Sequence, residues 1–187
     1  MIKQLLKEKD RQTVFTFGDI ATITGKNADS NLISNVNYYI RTGELIRVSK
    51  GIYALDENYS TWELANKLRK PSYISFYTIL QDAGIIFQPY STIFLACNRS
   101  EVIEKNNQKF KYRKLKDEIL YNMKGLEERR NTMIATPERA LLDKIYLDGD
   151  EYFDNLSKIN WGFAKEMNEE FYKSKKIEKY ILLHKND

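Results

Sequence analysis

Asn31, Asn35 and Asn37 stand among Ser30, Ser34, Tyr38 and Arg41 in a stretch, Ala28 to Thr42, whose apolar residues Leu32, Ile33, Val36, Tyr39 and Ile40 recur at helical spacing. An asparagine amide can meet adenine with two hydrogen bonds, arginine can do the same to guanine, and serine reaches bases or phosphates. That is the chemistry of reading a DNA groove. Asparagine is a poor former of helix interiors, so three in one helix carry a propensity cost that a solvated face alone does not explain. The spacing predicts a helix that shows Ser30, Asn31, Ser34, Asn35, Tyr38 and Arg41 to the outside.

The elements that would position this face follow from the flanking sequence. Ile2, Leu5 and Leu6 predict a short amphipathic helix ending near Asp10. Thr16 can cap a second helix that carries Ile20 and Ile23 and stops at Gly25. After the turn holding Lys26 and Asn27 comes the asparagine-rich helix, ended by Gly43. RTGELIRVSKGIYAL, from Arg41 to Leu55, then places β-prone runs, Leu45 to Val48 and Ile52 to Leu55, around Ser49-Lys50-Gly51. Alternation puts Ile46 and Val48 on one side and leaves Arg47, with Lys50, to face phosphate. Three helices and a two-stranded wing make a winged helix-turn-helix. The expected DNA-binding set is Lys26, Asn27, Ser30, Asn31, Ser34, Asn35, Tyr38, Arg41, Arg47 and Lys50. Between residues 22 and 55 the bases Lys26, Arg41, Arg47 and Lys50 face two acids, Asp29 and Glu44, which leaves a local charge of +2.

Composition sets the wider bounds. The chain has 187 residues with 42% hydrophobic and 13% aromatic residues, enough for a packed core and unlike a disordered chain. A net charge of +4 permits an anionic partner without demanding one. One cysteine, Cys97, excludes a disulfide framework or a multi-thiolate metal site and fits a reducing compartment. The charged start MIKQLLKEKDR is unlike a signal peptide, and no apolar run reaches the roughly 18 residues of a membrane span, so a cytoplasmic protein is expected.

Residues 59–70 predict a connecting helix, with Leu64, Ala65 and Leu68 as its stripe, between a winged helix-turn-helix at 1–58 and a second domain at 71–187. In that second domain a helix is expected from about Ser75 to Ala83, then strands at STIFLACN, QKFKYRKL and NTMIA. A helix follows from Thr136-Pro137, a capping hydroxyl ahead of a proline at the first helical position. Tyr152 to His184 reads as two helices. The expected class is α+β: a winged helix-turn-helix followed by a mixed α/β domain with a small sheet packed by helices.

Two segments, KPSYISFYTILQDAG and MIATPERALLDKIY, together with RTGELIRVSKGIYAL, resemble the AbiEi-type antitoxin family, bacterial proteins paired with nucleotidyltransferase-like toxins in type IV systems. The resemblance covers most of the chain, although nothing after about Gly149 carries a motif that aligns. It implies an N-terminal domain that binds operator DNA and represses its own operon, in abortive infection. It also implies a C-terminal domain that neutralises the toxin without requiring a stable complex with it.

An enzyme is the competing expectation. The single histidine, His184, sits in the terminal HKND and reads as a frayed, exposed residue rather than a catalytic base. Asp143, Asp148, Asp150 and Glu151 cluster in sequence and suggest a metal site, but LDGDEY reads equally as a solvated loop after a helix. Asp117 or Glu118 beside the lysines of KFKYRKLKDE gives a weak nuclease-like pattern, and no glycine-rich phosphate loop occurs. Arg139 and Asp143, four residues apart, read as a structural pair. No catalytic residue, metal or cofactor is therefore expected. A metal-dependent nuclease on a winged helix, a plain transcriptional regulator and a protein-interaction module stand as alternatives.

Overall fold

The computed structural model describes residues 1–184 of a mixed α and β chain, which falls into two units, Met1–Leu68 and Arg69–Asp187. In the first unit, helices α1 (Ile2–Glu8), α2 (Phe17–Thr24), α3 (Ser30–Arg41) and α4 (Thr61–Leu68) accompany strands β1 (Val14–Thr16), β2 (Ile46–Ser49) and β3 (Ile52–Ala54). The α2 start is chemically marked. Thr16 Oγ1 accepts from the Asp19 amide, while the Thr16 amide donates to Asp19 Oδ2, a reciprocal cap that satisfies two helix-end donors. Asp29 caps α3 by accepting from the Leu32 amide at 3.0 Å. The helix thus begins two residues later than its apolar pattern suggests.

The three strands form one antiparallel sheet in the order β1-β3-β2. The β2–β3 hairpin turns at Gly51, whose φ of +72° is one that a side chain would strain. Strand β1 is an element the sequence pattern does not reveal. Its three residues offer too little alternation to see, and its edge position depends on β3. The core joins Leu5, Phe15, Ile20, Leu32, Val36, Leu45 and Tyr53. Leu6 and Ile33, expected inside, are each 50% exposed, because the packed arcs of α1 and α3 are narrower than their apolar content.

Helix α4 lies within the first unit, where the sequence suggests a connection. The reason is Glu63, only 1% exposed, whose carboxylate accepts from the Thr13 amide, the Thr13 hydroxyl and the Val14 amide. Lys67 completes this anchor, donating to Asp19 Oδ2 at 2.7 Å and to the Val14 carbonyl at 2.6 Å. Burial raises the Asp19 carboxyl pKa, but Lys67 and Thr16 outweigh it and leave that pKa lowered.

The second unit holds a six-stranded mixed sheet in the order β6-β7-β5-β4-β9-β8. Its strands are β4 (Ser72–Ile74), β5 (Ile93–Cys97), β6 (Glu101–Lys105), β7 (Gln108–Lys114), β8 (Leu126–Arg129) and β9 (Thr132–Ala135). Buried β5 lies parallel to β7 and antiparallel to β4, so it reads as the continuous apolar run of a central strand. Edge strands β6 and β8 are joined to their neighbours by two-residue turns, Asn106-Asn107 and Arg130-Asn131, in which all four φ angles are positive. Such turns match strand twist and usually hold glycine, and its absence is why both hairpins escape a sequence reading. The expected Ser75–Ala83 helix is shorter, α5 (Tyr77–Asp82), because β4 and its end claim the residues before it. Helices α6 (Asp117–Leu120), α7 (Pro137–Asp148), α8 (Trp161–Met167) and α9 (Lys175–His184) complete the unit, with a π-helical turn over Asn168–Tyr172 after α8.

Helix α7 starts as the Thr-Pro pair requires, with Thr136 Oγ1 accepting from the Arg139 amide. It carries the unit's most demanding feature. Arg139 and Asp143 are both 0% exposed, and they tie the segment KPSYISFYTILQDAG to MIATPERALLDKIY. Asp143 accepts from the hydroxyls of Tyr73 at 3.0 Å, Ser75 at 2.7 Å and Tyr172 at 2.5 Å. Arg139 donates to the carbonyls of Ile119, Asn122 and Lys124 and to the Tyr73 hydroxyl. Its guanidinium lies beside the rings of Phe171, Tyr73 and Tyr172, with centroids 4.8, 5.2 and 5.7 Å away. Burial pushes the Asp143 carboxyl up, and Arg139 and the three hydroxyls oppose it. The carbonyl-bearing loop can close on Arg139 because residue 125 is glycine. A Cβ there would stand 2.8 Å from Met167 Sδ and 3.1 Å from Arg139 Cβ.

Candidate nucleic-acid interface

Helix α3 packs through Leu32 and Val36, with Tyr39 and Ile40 half-buried beside them. A helix turns about 100° per residue, so the direction opposite that core belongs to Ser30, Ser34, Asn37 and Arg41, with Asn31 and Tyr38 next to them. All six side chains are exposed. None is acidic, and of the two nearby acids Asp29 is turned into the helix cap while Glu44 accepts from the Thr42 hydroxyl. Lys26 and Asn27 are exposed in the turn before α3, and Lys50 is exposed at the hairpin tip. Among these sites the Ser34 hydroxyl returns to the Ser30 carbonyl at 2.9 Å, leaving its oxygen lone pairs outward.

Two members of the expected set are placed differently from expectation. Asn35 is half-buried on the flank of α3, because its position falls nearer the Leu32 side than the free side. Arg47 does not project alone. Its Nη2 donates to Asn37 Oδ1 at 2.9 Å, and its guanidinium lies 5.9 Å from the Tyr53 ring centroid. Asn37, absent from the expected set, is exposed on the same face and accepts this bond. The signal was available, since Asn37 is four residues before Arg41 and three after Ser34 on the same face. Ile33 adds an exposed apolar group on that side, one turn before Asn37.

Of the four carboxylates that suggested a metal site, Asp143, Asp148 and Glu151 are committed elsewhere, and Asp150 is exposed. Asp143 lies inside the buried cluster. Asp148 accepts two bonds from Arg113, at 2.5 and 2.6 Å, and a third contact from Lys144 at 3.1 Å. Glu151 pairs with Lys144 and accepts from the Tyr77 hydroxyl at 2.7 Å. Among the described residues no group of three histidine, cysteine or acidic side chains is arranged to hold a metal ion. His184, expected frayed, ends α9 half-buried with its ring 4.3 Å from that of Tyr180.

The Arg113 fork, followed by Lys144, holds the Asp148 carboxyl down to about 2, below its ordinary 3.8. A carboxyl depressed in the folded state contributes stability above its unfolded pKa, and that contribution disappears as pH falls through the folded value. Asp148→Asn should therefore cost about 1 kcal/mol at pH 7, after allowance for the partial exposure of the pair. Denaturant melts of both proteins should converge as pH falls from about 4 to about 2. A pH-independent difference would refute the assignment.

No described helix is long and apolar enough to cross a membrane. No family model matches the chain, and no curated protein matches it. Among solved structures, the chain is similar to the crystal structure of RV2827C protein from Mycobacterium tuberculosis, at 15% sequence identity and a TM-score of 0.44. The likeness covers 77% of this chain and 59% of that one.

Proposed function

We propose that the first unit is a winged helix-turn-helix that binds double-stranded operator DNA, with α3 in the major groove and the β2–β3 hairpin as a wing on the adjacent backbone. In this reading the chain is a cytoplasmic type IV antitoxin of the AbiEi type, which represses its own operon and counters a nucleotidyltransferase-like toxin. The observation that carries the DNA-binding part is the outer face of α3. Ser30, Asn31, Ser34, Asn37, Tyr38 and Arg41 are all exposed there without an acid among them, and Arg47 reaches the same face from the hairpin. Hydrogen-bonding groups of that kind match base edges, while Lys26, Arg41 and Lys50 at its margins suit phosphates.

The antitoxin part rests on the resemblance of the two second-unit segments. Their meeting in the Arg139–Asp143 cluster gives that pairing of motifs a physical reason, since the first segment supplies the Tyr73 and Ser75 hydroxyls that partner the buried charges of the second. Binding of the full chain to its own upstream duplex is the test. With about three bases on phosphates, log K should fall with log salt at a slope of about −2.7. Absence of binding at low salt would remove the reading.

A further inference from the structure

We infer that Asn37 reads a guanine in the bound DNA, with Arg47 as the residue that orients it; the inference rests on the DNA-binding reading of α3. A guanidinium has donors only, so the atom that Asn37 turns toward Arg47 Nη2 at 2.9 Å has to be its amide oxygen. The Asn37 amide nitrogen, with two hydrogens, is then left on the open side of the helix. Among the described residues nothing accepts from it. Arg47 is itself held, since its guanidinium lies against the ring of Tyr53, a residue only 6% exposed in β3. A side chain from the hairpin thus fixes the rotation of an amide on the helix.

The orientation selects a base. Guanine shows two acceptors, N7 and O6, in the major groove, whereas adenine shows one acceptor and an amino donor. To hold adenine by both contacts, the Asn37 oxygen would have to accept the adenine amino group on the lone pair that Arg47 leaves, which sets that amino donor beside the guanidinium donors. Donor would crowd donor. Guanine instead presents O6 and N7 to the Asn37 amino group and the unused guanidinium hydrogens. The same pairing accounts for an asparagine late in a helix, where it costs several tenths of a kcal/mol against alanine.

Selection from a randomised duplex library with the full chain, followed by competition binding, tests this. The selected sites should contain one G·C pair at which replacement by A·T weakens wild-type binding about ten-fold, the scale of one good base contact. Asn37→Ala, which favours helix, should lose about ten-fold in affinity and level the preference at that pair alone. Arg47→Lys keeps the charge but not the planar fork, so it should blunt the same preference while leaving the salt slope unchanged. An adenine preference that depends on Asn37, or a preference unaltered by Asn37→Ala, overturns the assignment while leaving DNA binding in place. Failure of the wild-type chain to bind any duplex overturns both.

Discussion

Arg139→Met is expected to lower the stability of the second unit by about 3–5 kcal/mol, a fall of roughly 10–20 °C in its melting temperature. The substitution fills much of the same space, so lost packing is a small part of the cost. The larger part is electrostatic. Asp143 would stay at 0% exposure without its cation, and the Ile119, Asn122 and Lys124 carbonyls would lose the donors that now satisfy them. Arg139→Met combined with Asp143→Leu should recover part of this loss, because the apolar pair removes the stranded charge. Trp161 begins α8 in the second unit and Trp62 lies in α4 of the first, so single-tryptophan versions report each unit separately. A single substitution that costs less than about 1 kcal/mol would show that the cluster is not what secures α7 to the sheet.

Ser34→Glu should reduce affinity for the upstream duplex about 100-fold at moderate salt while leaving the first unit folded. Ser34 is at the middle of the α3 free face and packs against nothing in the core, and glutamate forms helix better than serine. The new carboxylate would face the groove between two phosphate backbones, on a helix face that now carries no acid. Lys109→Gln makes the same change of one unit in net charge on an exposed strand of the second unit, and it should alter binding less than three-fold. Equal losses from the two variants would mean that the chain is held by diffuse charge rather than by α3.

Much of the first unit was legible because its signals are local. Thr16, Gly25 and Gly51 each mark a boundary through chemistry confined to a few residues. The reading of α3 as a polar-faced helix came from the same kind of signal. What the sequence did not reveal depends on distant partners. Glu63 reads as an ordinary surface residue until Thr13 and Val14, about fifty positions earlier, bring their donors to it. Strands β6 and β8 turn through asparagine and arginine at positive φ, where the expected glycine is missing. The Arg47–Asn37 bond joins a strand to a helix and cannot be inferred from the spacing of either. Arg139 and Asp143 were visible as a pair, but their enclosure by Tyr73, Ser75 and Tyr172 was not, since those residues come from segments far apart in the chain.

The central claim is that α3 reads DNA, and it is tested most directly by titrating the full chain into a labelled duplex of its own upstream sequence beside a shuffled duplex of equal length. Across a salt series, tighter binding to the upstream duplex is predicted, with a log–log slope of about −2.7 and with Ser34→Glu abolishing the preference. Equal affinity for both duplexes, or no binding at low salt, would contradict it.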